Sequence, residues 1–335
     1  MKDRFLHIIM LVAAIGICAC ERIDNASDRY ICLGAGVDEM EVNTKNVVTA
    51  DPYNGSVPTE DNKLNAAVWF SITDGVFMHD PTEPAYLPCR TSMLFEGDGK
   101  TTANYDEDTE DSTPAVTLKY PTGDDTEVYC IGLYPSAVGG DNGWKSDDGI
   151  KISHSISGQD DLMFADQISG TWRNPFPDQQ YNHLLTWVKI NFCAMTMEAA
   201  RQWGNVQTVT ITSDATVEID LSETGDERIT YTGSNVITTF QNTEDIPLTL
   251  TNTEAGSVFC SPETSYTVTI TTTNYPEGRT VPITLTDLEY AEIEDPSEAV
   301  GKLFIISLYF SPFNVIEGTC TLNYWNDQNE DLFLQ

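Results

Sequence analysis

The chain has 335 residues, with 17 Lys and Arg against 52 Asp and Glu and a formal net charge of -35, which repels a phosphate backbone at every approach and excludes nucleic acid as a partner. Apolar residues are 40% of the sequence, enough to build a core and to exclude wholesale disorder. One core stops growing near this length, so two domains of roughly 150 residues each are expected.

Lys2 and Arg4 precede an almost continuously apolar stretch from Phe5 to Ile17, which ends in Ile17-Cys18-Ala19-Cys20-Glu21. The stretch is shorter than the roughly 20 residues a membrane-spanning helix needs, and reads as a signal peptide over residues 1–19. Its end resembles a lipobox. Ala19 is small immediately before Cys20 and Ile17 is apolar at the third position back, whereas Cys18 follows the branched Ile17, so the lipid is assigned to Cys20. Glu21 stands where an Asp would hold a lipoprotein at the inner membrane, which favours the cell outer membrane. Residues 21–29 are polar and read as a tether open to proteolysis.

Beyond the tether, β-branched and aromatic runs predict strands at 66–73, 114–120, 127–134, 183–193 and 206–212, then at 215–220, 246–251, 265–273, 280–286, 302–309 and 319–325. Turn signals such as Pro52-Tyr53-Asn54-Gly55 and Gly139-Gly140-Asp141-Asn142-Gly143 stand between them. The one helix candidate is Thr196 to Trp203, with Thr196 as N-cap and Gly204 as the stop. The chain therefore reads as all-β, with domains at 46–195 and 196–335 joined near that helix.

No CxxC pair, HExxH frame, GxSxG elbow or phosphate-binding glycine loop occurs, so the sequence points to no enzyme, no cofactor and no metal. Cys130 and Cys193 lie inside apolar runs and are expected as buried thiols. No disulfide pairing is assigned. The acidic run 106–111 lacks the turn glycine and the terminal Glu of a calcium loop, and reads as a solvated loop. A surface lipoprotein that binds carbohydrate in a nutrient-uptake system is the competing reading. Trp144 and Trp172 lie near turn signals and are the expected exposed stacking pair, while Trp69 and Trp187 lie in strand runs and are expected in the core.

The order of features resembles the fimbrillins, the lipoprotein precursors of type V pili in Bacteroidales. A lipobox is followed by an extended segment, then NVVTADPYNGSVPTEDNKLNAAVWFSI (46–72), DLMFADQ (161–167), YNHLLTWVKINFC (181–193), GKLFIISLYFS (301–311) and CTLNYWND near the end. The resemblance implies two tandem transthyretin-like Greek-key β-sandwich domains and a pilus subunit that supports adhesion. It also implies removal of an amino-terminal strand within residues 20–45 and polymerisation by donor-strand exchange, in which a neighbour's strand fills the vacated groove. Carried onto this sequence, the removable strand is Tyr30, Ile31, Cys32 and Leu33. The candidate cleavage residues are Lys45 and Arg29, and Lys45 departs from the family's arginine. The candidate donor is Thr319, Thr321, Leu322, Tyr324 and Trp325, together with Leu332, Phe333 and Leu334. The implied partners are other pilus subunits, as a homo- or hetero-polymer, the outer membrane through the lipid before processing, and a host or bacterial surface ligand.

Overall fold

The structure, a computed structural model, describes residues 29–37, 63–78, 87–96, 101–102, 104–105, 116–123, 125–136, 143–243, 246–288 and 290–323. Cys20, Lys45, the acidic run 106–111, Tyr324, Trp325, Leu332, Phe333 and Leu334 lie outside the described residues. Among the described residues the protein is all-β, with a single α-helix.

In the first half the strands are β1 (Cys32–Leu33), β2 (Ala35–Val37), β3 (Lys63–Ser71), β4 (Cys89–Glu96), β5 (Thr101–Thr102), β6 (Asn104–Tyr105), β7 (Val116–Thr117), β8 (Val128–Tyr134), β9 (Lys151–Ser155), β10 (Met163–Gly170) and β11 (Gln179–His183). Six of them form one sheet in the order β2-β11-β10-β8-β3-β4. This sheet is buried on both faces, which is why β3 reads as the nearly unbroken apolar run AAVWF rather than as an alternation. Leu64, Ala66, Val68 and Phe70 face one core. Ala67 and Trp69, from the same strand, face another.

In the second half the strands are β12 (Thr186–Ala194), β13 (Val206–Ser213), β14 (Thr216–Asp220), β15 (Ile229–Thr232), β16 (Asn235–Gln241), β17 (Thr253–Cys260), β18 (Ser265–Thr272), β19 (Tyr275–Thr284), β20 (Leu303–Phe310) and β21 (Ile316–Asn323). Two four-stranded sheets, β17-β12-β20-β21 and β16-β13-β18-β19, enclose a third core. It is filled from alternate positions such as Val188, Ile190 and Phe192 on one sheet and Val209, Ile211, Val268 and Ile270 on the other.

The helix α1 (Met197–Trp203) follows β12, as expected. The Thr196 side chain accepts a hydrogen bond from the Ala199 N–H, and Gly204 ends the helix at φ 73°. Trp203 then plugs the sandwich end, its ring edge-on to Phe310 at 5.2 Å and its Nε1–H donating to the Ser311 carbonyl at 2.8 Å.

Two expectations need correction. The run 183–193 is not one strand: it breaks at Leu184 and Leu185, so that β11 joins the first half while β12 pairs with β17 and β20 of the second. The change of sheet thus falls ahead of Thr186. The stretch 246–251 is irregular rather than a strand. The Asn242 amide binds both the Ile246 N–H and its carbonyl at 2.8 Å, which occupies the groups a ladder would use. The halves also share a sheet, β15-β14-β9, in which β9 of the first pairs with β14 of the second.

Candidate functional site

The segment Arg29–Val37 passes from one sheet of the first half to another, β1 pairing with β5 and β2 forming the edge of the six-stranded sheet. On one side the Ile31 N–H donates to the Leu118 carbonyl at 3.0 Å, and the Tyr120 N–H donates to the Arg29 carbonyl at 2.8 Å. Cys32 and Leu33 continue that side antiparallel to Thr102 and Thr101. The chain then crosses over. The Gly34 carbonyl accepts from the Gln179 N–H at 2.8 Å, and Ala35–Val37 runs parallel to Gln179–Tyr181 as the outer strand of the six-stranded sheet. A Cβ on Gly34 would sit 2.4 Å from an Asp178 carboxylate oxygen, so glycine suits the crossing point.

The period-2 alternation decides what this strand buries. Ile31 and Leu33 are fully enclosed, while Tyr30 remains 38% exposed and Cys32 partly so. Beneath them lie Leu118, Tyr120, Cys130, Phe176 and Tyr181, with the Tyr120 and Phe176 rings stacked at 5.8 Å. Tyr181 lies flat across Gly132, where a Cβ would fall 2.2 Å from its hydroxyl oxygen, and that hydroxyl donates to the Gln179 amide oxygen at 3.1 Å. Outside, the Lys119 ammonium sits 5.0 Å above the Tyr30 ring and the Arg29 guanidinium 5.7 Å above the Trp172 ring, cation–π contacts that hold the strand's front end.

The chamber disfavours charge. Burial pushes the Cys89 thiol up to about 12 and raises the Cys130 thiol and the Tyr181 phenol well above their usual values. Such thiols stay protonated near neutrality and are poor nucleophiles. The slot therefore offers backbone ladders and apolar pockets, the chemistry that holds an extended peptide.

Of the candidate residues, Arg29, Tyr30, Ile31, Cys32 and Leu33 come together in this slot. Thr319, Thr321 and Leu322 lie in β21, opposite Ser307, Ile305 and Phe304 of β20, and so are strand residues of their own sheet. Cys130 and Cys193 are buried thiols as expected. The expectation that Trp144 is exposed is overturned. Trp144 is only 6% exposed and packs its ring 4.8 Å from that of His154, because the adjoining bridge between Lys145 and Ser153 turns it into the shared core. Trp172 is half-buried beside Arg29. Among the described residues no group of three or more His, Cys, Asp and Glu is arranged to hold a metal.

The slot walls were read only in part in the sequence, Leu118 and Tyr120 falling in the strand expected at 114–120 and Cys130 in that at 127–134. Thr101 and Thr102 lie among polar residues, and Gln179-Gln180 precedes Tyr181 with no β-branched residue to mark a strand. In the structure Gln179 and Tyr181 are buried on either side of the exposed Gln180.

Fold and site together define an all-β protein whose first described segment pairs with β5 through β1 and edges the six-stranded sheet through β2. No family model and no curated protein matches the chain. Among solved structures it is similar to a candidate cell adhesion protein from Bacteroides uniformis, with a TM-score of 0.48 and 14% identity over 78% of this chain and 91% of that one. It is also similar to a candidate cell adhesion protein from Bacteroides ovatus, with a TM-score of 0.45 and 13% identity over 88% and 97%. A candidate polysaccharide-binding protein from Bacteroides thetaiotaomicron gives a TM-score of 0.44 and 11% identity over 89% and 97%.

Proposed function

We propose that this chain is a fimbrillin-like subunit of an adhesive surface fibre, exported as a lipoprotein through Cys20, trimmed, and polymerised by donor-strand exchange. The observation that carries the reading is the inserted strand, whose Ile31 and Leu33 are fully buried. Each such side chain contributes about 1.5–3 kcal/mol on burial. A slot of this kind, once emptied, presents unpaired backbone and apolar pockets to any strand of matching alternation.

The slot also ranks the cleavage candidates. The Arg29 carbonyl is held in the ladder by Tyr120, and a cut there leaves Ile31 and Leu33 in place. A cut after Lys45 frees the whole strand, so Lys45 is the proposed site. The donor is proposed in residues 324–335, with Tyr324, Trp325, Leu332, Phe333 and Leu334 as its apolar positions, since Thr319 to Leu322 already pair with β20. Twelve extended residues reach roughly 40 Å, more than the nine-residue slot requires.

The test mixes intact protein, protein trimmed after Lys45, and trimmed protein ending at Asn323, and follows laddering on a denaturing gel without boiling. Ladders are expected from the second alone. Equal ladders from the protein ending at Asn323 would refute the donor, and ladders from intact protein would refute the need for strand removal. The carbohydrate-binding reading loses its stacking pair with the burial of Trp144.

A further inference from the structure

The strand in the slot has a defined register. Ile31 and Leu33, two residues apart, are fully buried. Between them Cys32 lies opposite Thr102, on the partly exposed side. Ahead of them Tyr30 lies opposite Lys119 in an isolated antiparallel bridge. The flanking bonds, from the Ile31 N–H to the Leu118 carbonyl and from the Tyr120 N–H to the Arg29 carbonyl, leave Tyr30 and Lys119 as a non-hydrogen-bonded pair. Side chains stand closest in such a pair, whose Cα atoms are about 4.5 Å apart. The exposed Lys119 accordingly holds its ammonium 5.0 Å above the Tyr30 ring. A strand that replaces this one must bring two apolar side chains two residues apart, and the residue before them meets a lysine.

Residues 324–335 read YWNDQNEDLFLQ. Within them only Leu332 and Leu334 form an apolar pair at that spacing, and the residue before Leu332 is Asp331. We propose that, within the donor-strand reading above on which this register rests, a second copy's Leu332 and Leu334 fill the pockets of Ile31 and Leu33 while its Asp331 pairs across the ladder with Lys119. The donor then runs in the direction of the strand it replaces, with Phe333 on the partly exposed side where Cys32 stood.

Burial and charge select this register independently. A slip of one residue turns Gln335 or Asp331 inward, depending on its direction. A slip of two that carries Leu332 into the Leu33 pocket brings Glu330 into that of Ile31, and an unpaired carboxylate is costly to bury. Opposite charges directly across a ladder stabilise it and like charges destabilise it. Lysine and arginine are scarce in this chain, 17 against 52 acidic residues, yet one of them stands where Asp331 arrives. Tyr324 and Trp325 fall outside the pockets and belong to the span between subunits.

Crosslinking of the chain trimmed after Lys45, with its carboxy-terminal residues kept, tests the register. Trimming removes Cys32 with the strand, and Cys89, Cys130, Cys193, Cys260 and Cys320 are buried, so introduced thiols react selectively. The pair K119C and D331C on one chain should give ladders that survive boiling and collapse with reductant. K119C with E330C or with F333C should crosslink poorly, because position 330 points to the other face and position 333 lies beyond the roughly 7 Å a disulfide spans. With native thiols, K119E or D331K alone should slow laddering about threefold, and the chain carrying both should regain the parent rate. Thermal unfolding of each untrimmed variant checks its fold. If K119E fails to fold, K119Q replaces it, and adding D331N to K119Q should change nothing. A parent that ladders while D331C crosslinks no better than E330C or F333C, or charge reversals that do not recover together, overturns the register and leaves the donor reading standing. Crosslinking through Q335C in place of D331C would reverse the donor's direction and overturn the register equally. A trimmed parent that forms no ladder overturns both.

Discussion

Replacing Ile31 and Leu33 together by Ala in the intact chain is expected to destabilise the first half by an amount comparable to the stability of a whole domain. Both side chains are fully buried, against Leu118, Tyr120, Phe176 and Tyr181 among others. A large-to-small change at such a site costs about 2–5 kcal/mol, so the pair is expected to lose about 4–10 kcal/mol. A domain is stable by about 5–15 kcal/mol. The double variant should accordingly lose hydrogen-exchange protection at the Tyr120 and Gln179 amides, which bind the carbonyls of Arg29 and Gly34. Tyr30→Ala, on the exposed side of the same strand, should leave those amides protected. If the double variant stays within about 1 kcal/mol of the parent in thermal unfolding, the strand is not part of the fold's stability and the slot argument fails.

Three further outcomes follow from other contacts. The His183 Nδ1 lies 2.7 Å from the Asp161 carboxylate; burial alone lowers its pKa, but the charge and hydrogen bond of Asp161 outweigh burial and hold it above the usual value. A raised folded pKa stabilises most fully below the unfolded value of about 6.5, so the stability gap between parent and His183→Gln should shrink as pH rises past the folded pKa. Thr196→Ala removes the helix cap bonded to Ala199 and should cost about 1 kcal/mol in denaturant titration. Gly132→Ala drives a Cβ into the Tyr181 ring as well as its hydroxyl and should cost about 1–3 kcal/mol, a cost that Tyr181→Phe should leave largely in place because the ring carbons it meets remain.

Local chemistry made part of this architecture legible. Thr196, Gly204 and the run between them announced the helix, because capping is decided within one turn. The strands β3, β8, β13, β18 and β20 were readable from β-branched and aromatic density. Where pairing partners decide, the sequence was mute. Leu184 and Leu185 are apolar on both sides of a change of sheet, so nothing in YNHLLTWVKINFC marks the break between β11 and β12. The strands β9, β10 and β17 were overlooked because their polar residues, such as Ser153, Gln167 and Glu254, mask the buried positions between them. Ile31 and Leu33 stood out as an apolar island, but the threonines and glutamines that receive them carried no local sign of that role.

The separation of the cores explains how a strand could leave without dissolving the molecule. Ile31 and Leu33 belong to the cluster with Val68, Phe70 and Tyr181. Trp69, Ile131 and Phe164, on the opposite face of the same six-stranded sheet, pack instead with Val217 and Ile219 from the second half. The sandwich around Trp203 and Phe310 forms a third cluster. Emptying the slot exposes one face of one sheet, while the other face stays clamped by β9, β14 and β15. Protein trimmed after Lys45 and ending at Asn323, which lacks the proposed donor, should therefore unfold in two calorimetric steps, the earlier one restored toward the parent by a synthetic peptide of residues 29–37. A single transition, or an early step that the peptide leaves unmoved, would show that the cores melt as one and that the strand cannot be exchanged on its own.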